Sequence, residues 1–320
     1  MSTVSRTEAP LRNPDRFYIG GKWVEADSPA VIQVIDSATE EPYFTVAEAA
    51  AGDMDRAVGA ARAAFDEGPW PRLTHMQRAE YLRALADGLR ARTDDLAQLW
   101  TRQSGVLYSM AHGSVESVAS VFDSYAGLAD TYPFEQPMPS TVTAFGLLVH
   151  EPVGVVGAIV PWNGPLSILS YKIAPALIAG CSVVLKSSPE APGDAYIVAE
   201  VAEAIGLPPG VLNVLTADRE VSELLVRDPR IDKISFTGST AAGRRIASLC
   251  GERIARCTLE LGGKSAAVVL DDADLQSAAD MLATSECRVT GQVCSSVTRV
   301  VVSRSRHDAM VEALAARFNG

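Results

Sequence analysis

From Val155 onward the chain repeats one pattern, a short apolar run followed by a longer stretch whose apolar positions recur every three or four residues. The runs Val155–Val160, Ser182–Lys186, Val211–Leu215 and Lys233–Phe236 read as strands. Helices are expected to open near Pro165, Pro192, Asp218 and Ser239. Strands that are apolar at nearly every position need cover on both faces, so the pattern predicts an α/β fold with a doubly wound parallel sheet. In such sheets ligands bind beyond the carboxyl ends of the strands.

The residues before this repeat read differently. Phe17 to Val24 forms two short strand pieces about Gly20-Gly21, expected as edge decoration, and Val31–Ile35 a further strand. Asp53 is the expected N-cap of a helix with Met54, Val58, Ala61 and Phe65 on one face, ended by Gly68-Pro69. Thr74 opens a longer helix through Leu82 and Leu89, with Asp94 or Asp95 capping a continuation to Trp100. Val115 to Tyr132 is a helix that the prolines at 133, 137 and 139 end. Thr141 to Glu151, weakly alternating and rich in β-branched residues, reads as a strand or hairpin. After the repeat come a strand at Ala266–Leu270, a helix from Asp274 to Met281 and a strand at Arg299–Ser303. A last helix, His307 to Phe318, carries Met310, Leu314 and Phe318 on one side.

Composition narrows the function classes. Lys and Arg number 28 against 39 Asp and Glu, a formal charge of −11, which leaves no basic surface for a nucleic-acid backbone. Five cysteines, odd in number and without close pairing, argue against a disulfide framework or zinc ribbon and fit a reducing cytoplasm. Met1 to Asn13 lacks the basic patch and apolar run of a secretory signal, and no apolar run reaches membrane-spanning length.

Candidate chemistry concentrates between Thr258 and Ser296. Cys294, in Gly291-Gln292-Val293-Cys294-Ser295-Ser296, has the small neighbours that suit a nucleophile on a tight loop. Glu260, in Thr258-Leu259-Glu260-Leu261-Gly262-Gly263-Lys264, offers a carboxylate that only folding could bring near it. Taken alone, Cys294 reads equally as a buried small hydrophobe and Glu260 as an exposed strand end.

Together these two motifs resemble the aldehyde dehydrogenase superfamily. The resemblance extends to Pro161-Trp162-Asn163-Gly164-Pro165, Lys186 and Phe236-Thr237-Gly238-Ser239-Thr240, in the family's order. It implies a cofactor-binding domain from residues 1–131 and 152–262, an oligomerisation arm at 132–151, and the amino-terminal part of an incomplete α/β catalytic domain at 263–320. Family members continue well past the cysteine, so the resemblance places the end of this chain inside its second domain.

The implied reaction oxidises an aldehyde to a carboxylic acid with NAD or NADP as hydride acceptor, NAD being favoured, in a homodimer or homotetramer. Cys294 is the implied nucleophile and Glu260 the base that hydrolyses a thioester, which sets the hydrolytic branch apart from relatives that pass the acyl group to coenzyme A. Asn163 is the implied oxyanion donor, together with the Cys294 N–H; as a lone Asn-Gly-Pro it also reads as an ordinary turn.

Val160, Pro161, Trp162, Lys186, Gly238, Ser239 and Leu261 are the implied cofactor contacts. Lys186 also reads as a solvated strand-end lysine, and Gly238 to Gly243 as an ordinary helix start. Where NAD-selective relatives often place a glutamate after this lysine, the chain has Pro189 followed by Glu190. Gly164, in the place of a bulky aromatic, implies a wide substrate mouth. The rival expectation is a non-catalytic fragment that keeps a nucleotide-binding fold as an interaction module; residues 1–320 by themselves are expected to bind the cofactor weakly, to aggregate readily and to turn over little.

Overall fold

The computed structural model describes residues 8–319; most of the polar amino-terminal stretch before Asn13, and Gly320, lie outside that range. The chain opens with β1 (Arg16–Ile19) and β2 (Lys22–Glu25), followed by the antiparallel pair β3 (Val31–Ile35) and β4 (Pro42–Ala47). Four helices come next: α1 (Ala51–Asp66), α2 (His75–Arg90), α3 (Thr93–Ser104) and α4 (Tyr108–Thr131). The hairpin β5 (Glu135–Met138) and β6 (Gly146–Val149) leads into the alternating region of β7 (Val155–Ile159), α5 (Pro165–Ala179), β8 (Ser182–Ser187), α6 (Gly193–Ala204), β9 (Leu212–Thr216), α7 (Arg219–Arg227), β10 (Lys233–Gly238), α8 (Thr240–Glu252) and β11 (Arg256–Leu261). Last come β12 (Ala266–Val268), α9 (Leu275–Glu286), β13 (Arg299–Val301) and α10 (His307–Phe318).

The main sheet runs β11-β10-β7-β8-β9-β1-β2, with β7 to β11 parallel and β1 and β2 antiparallel. Its two faces follow the period of two along each strand. Val156, Ala158, Val183, Leu185 and Val214 join one core with Leu82, Val118, Leu169 and Ile197 from α2, α4, α5 and α6. Val155, Ile159, Val184 and Leu215 join the other with Met54, Leu225 and Ile246 from α1, α7 and α8. Each buried Val, Leu, Ile or Met among them contributes about 1.5–3 kcal/mol, which makes this three-layer sandwich the dominant stabilising unit.

The chain progresses from β7 to β8 to β9 in one direction and then returns to place β10 on the other side of β7. That reversal leaves a crevice beyond the carboxyl ends of β7 and β10, where helices depart to opposite faces. On the β11 side α8 packs very closely. A Cβ on Gly243 would meet the Leu261 side chain at 2.5 Å, so any larger residue there would require Leu261 to shift.

Several local expectations need correction. β1 and β2 are more than decoration: Phe17, Tyr18 and Ile19 are buried, and β1 pairs with β9 to extend the main sheet. Asp53 is the third residue of its helix, not the cap; buried by the fold, its carboxylate accepts the Ala50 N–H at 2.8 Å in place of the missing cap side chain. Arg92 occupies the N-cap of α3, with Asp94 and Asp95 in its first turn beside the helix dipole. α4 begins at Tyr108, well before Val115, and its start packs through Ala111 against Ala97 and Trp100. β4 was not foreseen as a strand, and β11 only as the exposed strand end that carries Glu260. In α10, Met310 and Ala313 are buried and Leu314 packs beside them, but Phe318 in the last turn is exposed. Among the described residues, no helix is long and apolar enough to cross a membrane.

Candidate active site

The carboxyl ends of β7, β8, β10 and β11 converge on the crevice, and the register fixes who meets whom. Ile159 pairs with Lys186, Phe236 with Ile159, and Thr237 with Glu260. Just beyond these ends lie Val160 to Asn163, Ser188 to Glu190, and Ser239. A cavity of ≈ 560 Å³ is lined by Val160, Pro161, Trp162, Asn163, Lys186, Gly238, Ser239, Glu260, Leu261 and Cys294, so all the residues expected at the site share one space. A second cavity of ≈ 460 Å³ continues from it through Lys186, Ser188, Glu190, Phe236 and Ser239 toward α7 and α8.

Cys294 stands on an exposed loop after α9 and a short helical turn at Arg288–Gly291. Glu260 lies at the exposed carboxyl end of β11. The two motifs come close at their backbones: a Cβ on Gly263 would lie 3.7 Å from the Cys294 carbonyl oxygen. Asn163 leaves β7 just before α5 and donates its side-chain amide to the Gln292 carbonyl at 2.6 Å, two residues from the thiol. Its own carbonyl accepts from the Trp100 indole at 3.0 Å, and the Trp162 carbonyl accepts from the Ser104 hydroxyl at 2.8 Å. At Gly164 a Cβ would meet nothing within 4 Å, so the mouth beside Asn163 is open.

Lys186 is buried, not solvated, and burial pulls its ammonium down to about 8 although the charges of Glu190 and Asp218 oppose the shift. The expected gap at Pro189 is thus filled one residue later: Glu190 lines both cavities and accepts from the Ser188 hydroxyl. Ser239 caps α8 by accepting the Ala242 N–H at 3.2 Å, and the first turn of that helix opens toward the crevice.

Sequence reasoning missed three residues here. Lys172, buried in α5, donates to the Ser235 hydroxyl at 3.1 Å; burial lowers its ammonium to about 8, against an opposing pull from the Glu260 carboxylate. It is the one charged residue of its helix, a signal visible in Pro165–Ala179. Gln292 and Trp100 act through contacts remote in sequence, which no local pattern marks.

A family profile described as the aldehyde dehydrogenase family matches residues 23–320. A geranial dehydrogenase of Castellaniella defragrans is 43% identical over 93% of this chain and 63% of its own length. A crystal structure of a Mycobacterium tuberculosis aldehyde dehydrogenase complexed with NAD+ superposes with a TM-score of 0.93 at 40% identity, covering 97% of this chain and 64% of that one. A cysteine-to-alanine mutant of aldehyde dehydrogenase C from Pseudomonas syringae, with NAD+ and octanal, also gives 0.93, at 35% identity, covering 98% and 64%. The chain therefore spans less than two thirds of the length of these relatives.

Proposed function

Because this chain belongs to the aldehyde dehydrogenase family, we propose that its crevice oxidises an aldehyde to a carboxylic acid, with Cys294 as nucleophile, Glu260 as base and Asn163 as oxyanion donor. The observation that carries this reading is the single cavity into which β7, β11 and the cysteine loop deliver those three side chains. We further assign residues 1–131 and 152–262 to cofactor binding, 132–151 to an oligomerisation arm and 263–320 to the catalytic unit. The exposed Phe145, Leu147 and Leu148 of the arm suit pairing between subunits.

The crevice fits a dinucleotide. Two joined cavities accommodate an extended ligand, the buried Lys186 ammonium faces one of them, and the N-terminus of α8 directs backbone N–H groups where a pyrophosphate would lie. Lys186 and Glu190 would hold the adenosine ribose, and the Glu190 carboxylate favours NAD over a 2′-phosphorylated form by repulsion. Bound there, the nicotinamide would supply the hydride acceptor for oxidising the Cys294 adduct to a thioester.

The protein groups do the remaining work. Cys294 sulfur adds to the aldehyde carbon, and the carbonyl oxygen takes up negative charge. One N–H of the Asn163 amide is engaged by Gln292, which leaves the other for that oxygen beside the Cys294 N–H. Glu260 then takes a proton from water, whose oxygen attacks the thioester carbon, and the carboxylate leaves as the Cys294 thiolate returns. Lys172 lies close enough to Glu260 for the carboxylate to favour its ammonium form. The gap at Gly164 and the apolar lining of Trp162, Ile168 and Val293 suit an aldehyde with an extended apolar chain, in keeping with the geranial and octanal of the relatives.

The test is spectrophotometric. Wild type supplied with NAD and medium-chain aldehydes should produce reduced nicotinamide, and Cys294→Ala should produce none while still binding NAD. Equal rates in the two proteins would refute the assignment.

A further inference from the structure

The loop that presents Cys294 has an unusual backbone. Val289, Thr290 and Gly291 follow one another with φ of 49°, 54° and 76°. Glycine tolerates this left-handed region, but a β-branched residue there is strained, and two stand in succession. Strain of this kind persists only where surrounding contacts hold it.

Those contacts centre on Gln292. Its backbone N–H donates to the Val289 carbonyl at 3.0 Å and its side-chain amide to the Thr290 hydroxyl at 3.0 Å, both within the strained turn. The same amide donates to the Ser104 carbonyl at 2.9 Å, at the end of α3. Thr290 in turn donates to the Gly105 carbonyl at 3.1 Å, and Val289 packs against the cluster of Ala97, Trp100, Val106 and Ala111. The backbone carbonyl of Gln292 accepts the Asn163 amide, while Ser104 bonds the Trp162 carbonyl next to Asn163. The hydrogen bonds thus close a ring from Gln292 through Ser104, Trp162 and Asn163 back to Gln292.

We propose that Gln292 is a positioning residue: its side chain holds the left-handed turn Val289–Gly291 against α3 and thereby fixes both the Asn163 amide and the Cys294 thiol for attack. Gln292 lines the cavity, and its side-chain amide, turned to Thr290 and Ser104, acts through the loop it clamps. The inference rests on the reading of Cys294 and Asn163 given above. Without the side-chain amide, the two β-branched residues relax toward ordinary φ, the Gln292 carbonyl leaves Asn163, and the thiol and oxyanion donor lose their common frame.

The test uses Gln292→Ala alone and combined with Thr290→Gly or Thr290→Ala. Gln292→Ala should lower kcat about 100-fold, the scale at which small misplacements act, with KM for NAD unchanged. Adding Thr290→Gly should restore kcat by about tenfold, because glycine occupies the left-handed region without the clamp. Adding Thr290→Ala removes the same hydroxyl but keeps the strain, and should restore nothing. Near wild-type kcat in Gln292→Ala, or equal rescue by glycine and alanine, would overturn the proposal.

Hydrogen exchange reads the loop independently of turnover. In Gln292→Ala, amides 289–296 should exchange about tenfold faster than in wild type while β7 and β8 stay protected, with the Thr290→Gly double variant in between. Unchanged exchange would overturn the positioning role. If wild type oxidises no aldehyde, the proposed function fails, and the exchange comparison still decides whether Gln292 holds the loop.

Discussion

The Trp100 indole donates to the main-chain carbonyl of Asn163 at 3.0 Å, so a helix-α3 side chain holds the backbone of a residue that begins the next layer of the fold. Trp100 is 7% exposed and packs with Ala97, Val106 and Ala111. Trp100→Phe keeps most of the packing and removes the donor. Stability should fall by about 1 kcal/mol, the net worth of one hydrogen bond. If Asn163 carries the proposed role, kcat should drop while KM for NAD holds. Urea unfolding and steady-state kinetics check both, and a variant with wild-type stability and rate would count against the link.

Asp194 offers a stability prediction away from the site. It is fully buried in the first turn of α6, one carboxylate oxygen accepts from Gln103 at 3.2 Å, and the other has no partner among the described residues. Burial pushes its pKa from 3.8 up to about 7. The folded value lies above the unfolded one, so its contribution is intact below the unfolded pKa and is lost as pH rises toward 7. The loss approaches about 4 kcal/mol by the linkage relation. Asp194→Asn removes the titration and should gain on wild type progressively as pH rises through that window. Thermal unfolding at about pH 5 and about pH 8 tests this, and a difference independent of pH would contradict it.

The doubly wound sheet was legible because short strands with apolar centres from β7 to β10 alternate with amphipathic helices, and Asp218, Ser239 and Asp274 cap helices where their residue types said they would. Asp53 misled because a third helical residue that reaches back to the N-cap N–H looks, in sequence, like a cap. β4 carries Pro42 at its start and alternates weakly, so its pairing with β3 came from tertiary context. At the site, Cys294, Glu260 and Asn163 stood in recognisable motifs. Gln292 was read only as part of one, since its role depends on Ser104 and Asn163, far off in the chain.

If Lys186 holds the cofactor as proposed, it ties cofactor affinity to pH. With its ammonium near 8, deprotonation removes a charged donor from the crevice within the range of ordinary buffers. NAD binding, followed by quenching of tryptophan fluorescence, should weaken as pH rises above that value. Lys186→Met should bind NAD about tenfold more weakly at neutral pH, as expected for one charge-assisted hydrogen bond, and should lose the pH dependence. A wild-type affinity that stays flat through this range would remove Lys186 from the ribose contact.

In the proposed reaction Cys294 carries the acyl group and Glu260 releases it. Glu260→Gln keeps the size of the side chain and removes the base, so attack on the aldehyde should proceed while hydrolysis stalls. The direct measurement is mass spectrometry of Glu260→Gln quenched during reaction with octanal and NAD. The account predicts an octanoyl group on the peptide containing Cys294, absent without NAD and absent in the Cys294→Ala, Glu260→Gln double variant. An unmodified Cys294 peptide, or the acyl group on Cys257 or Cys287 instead, would contradict it.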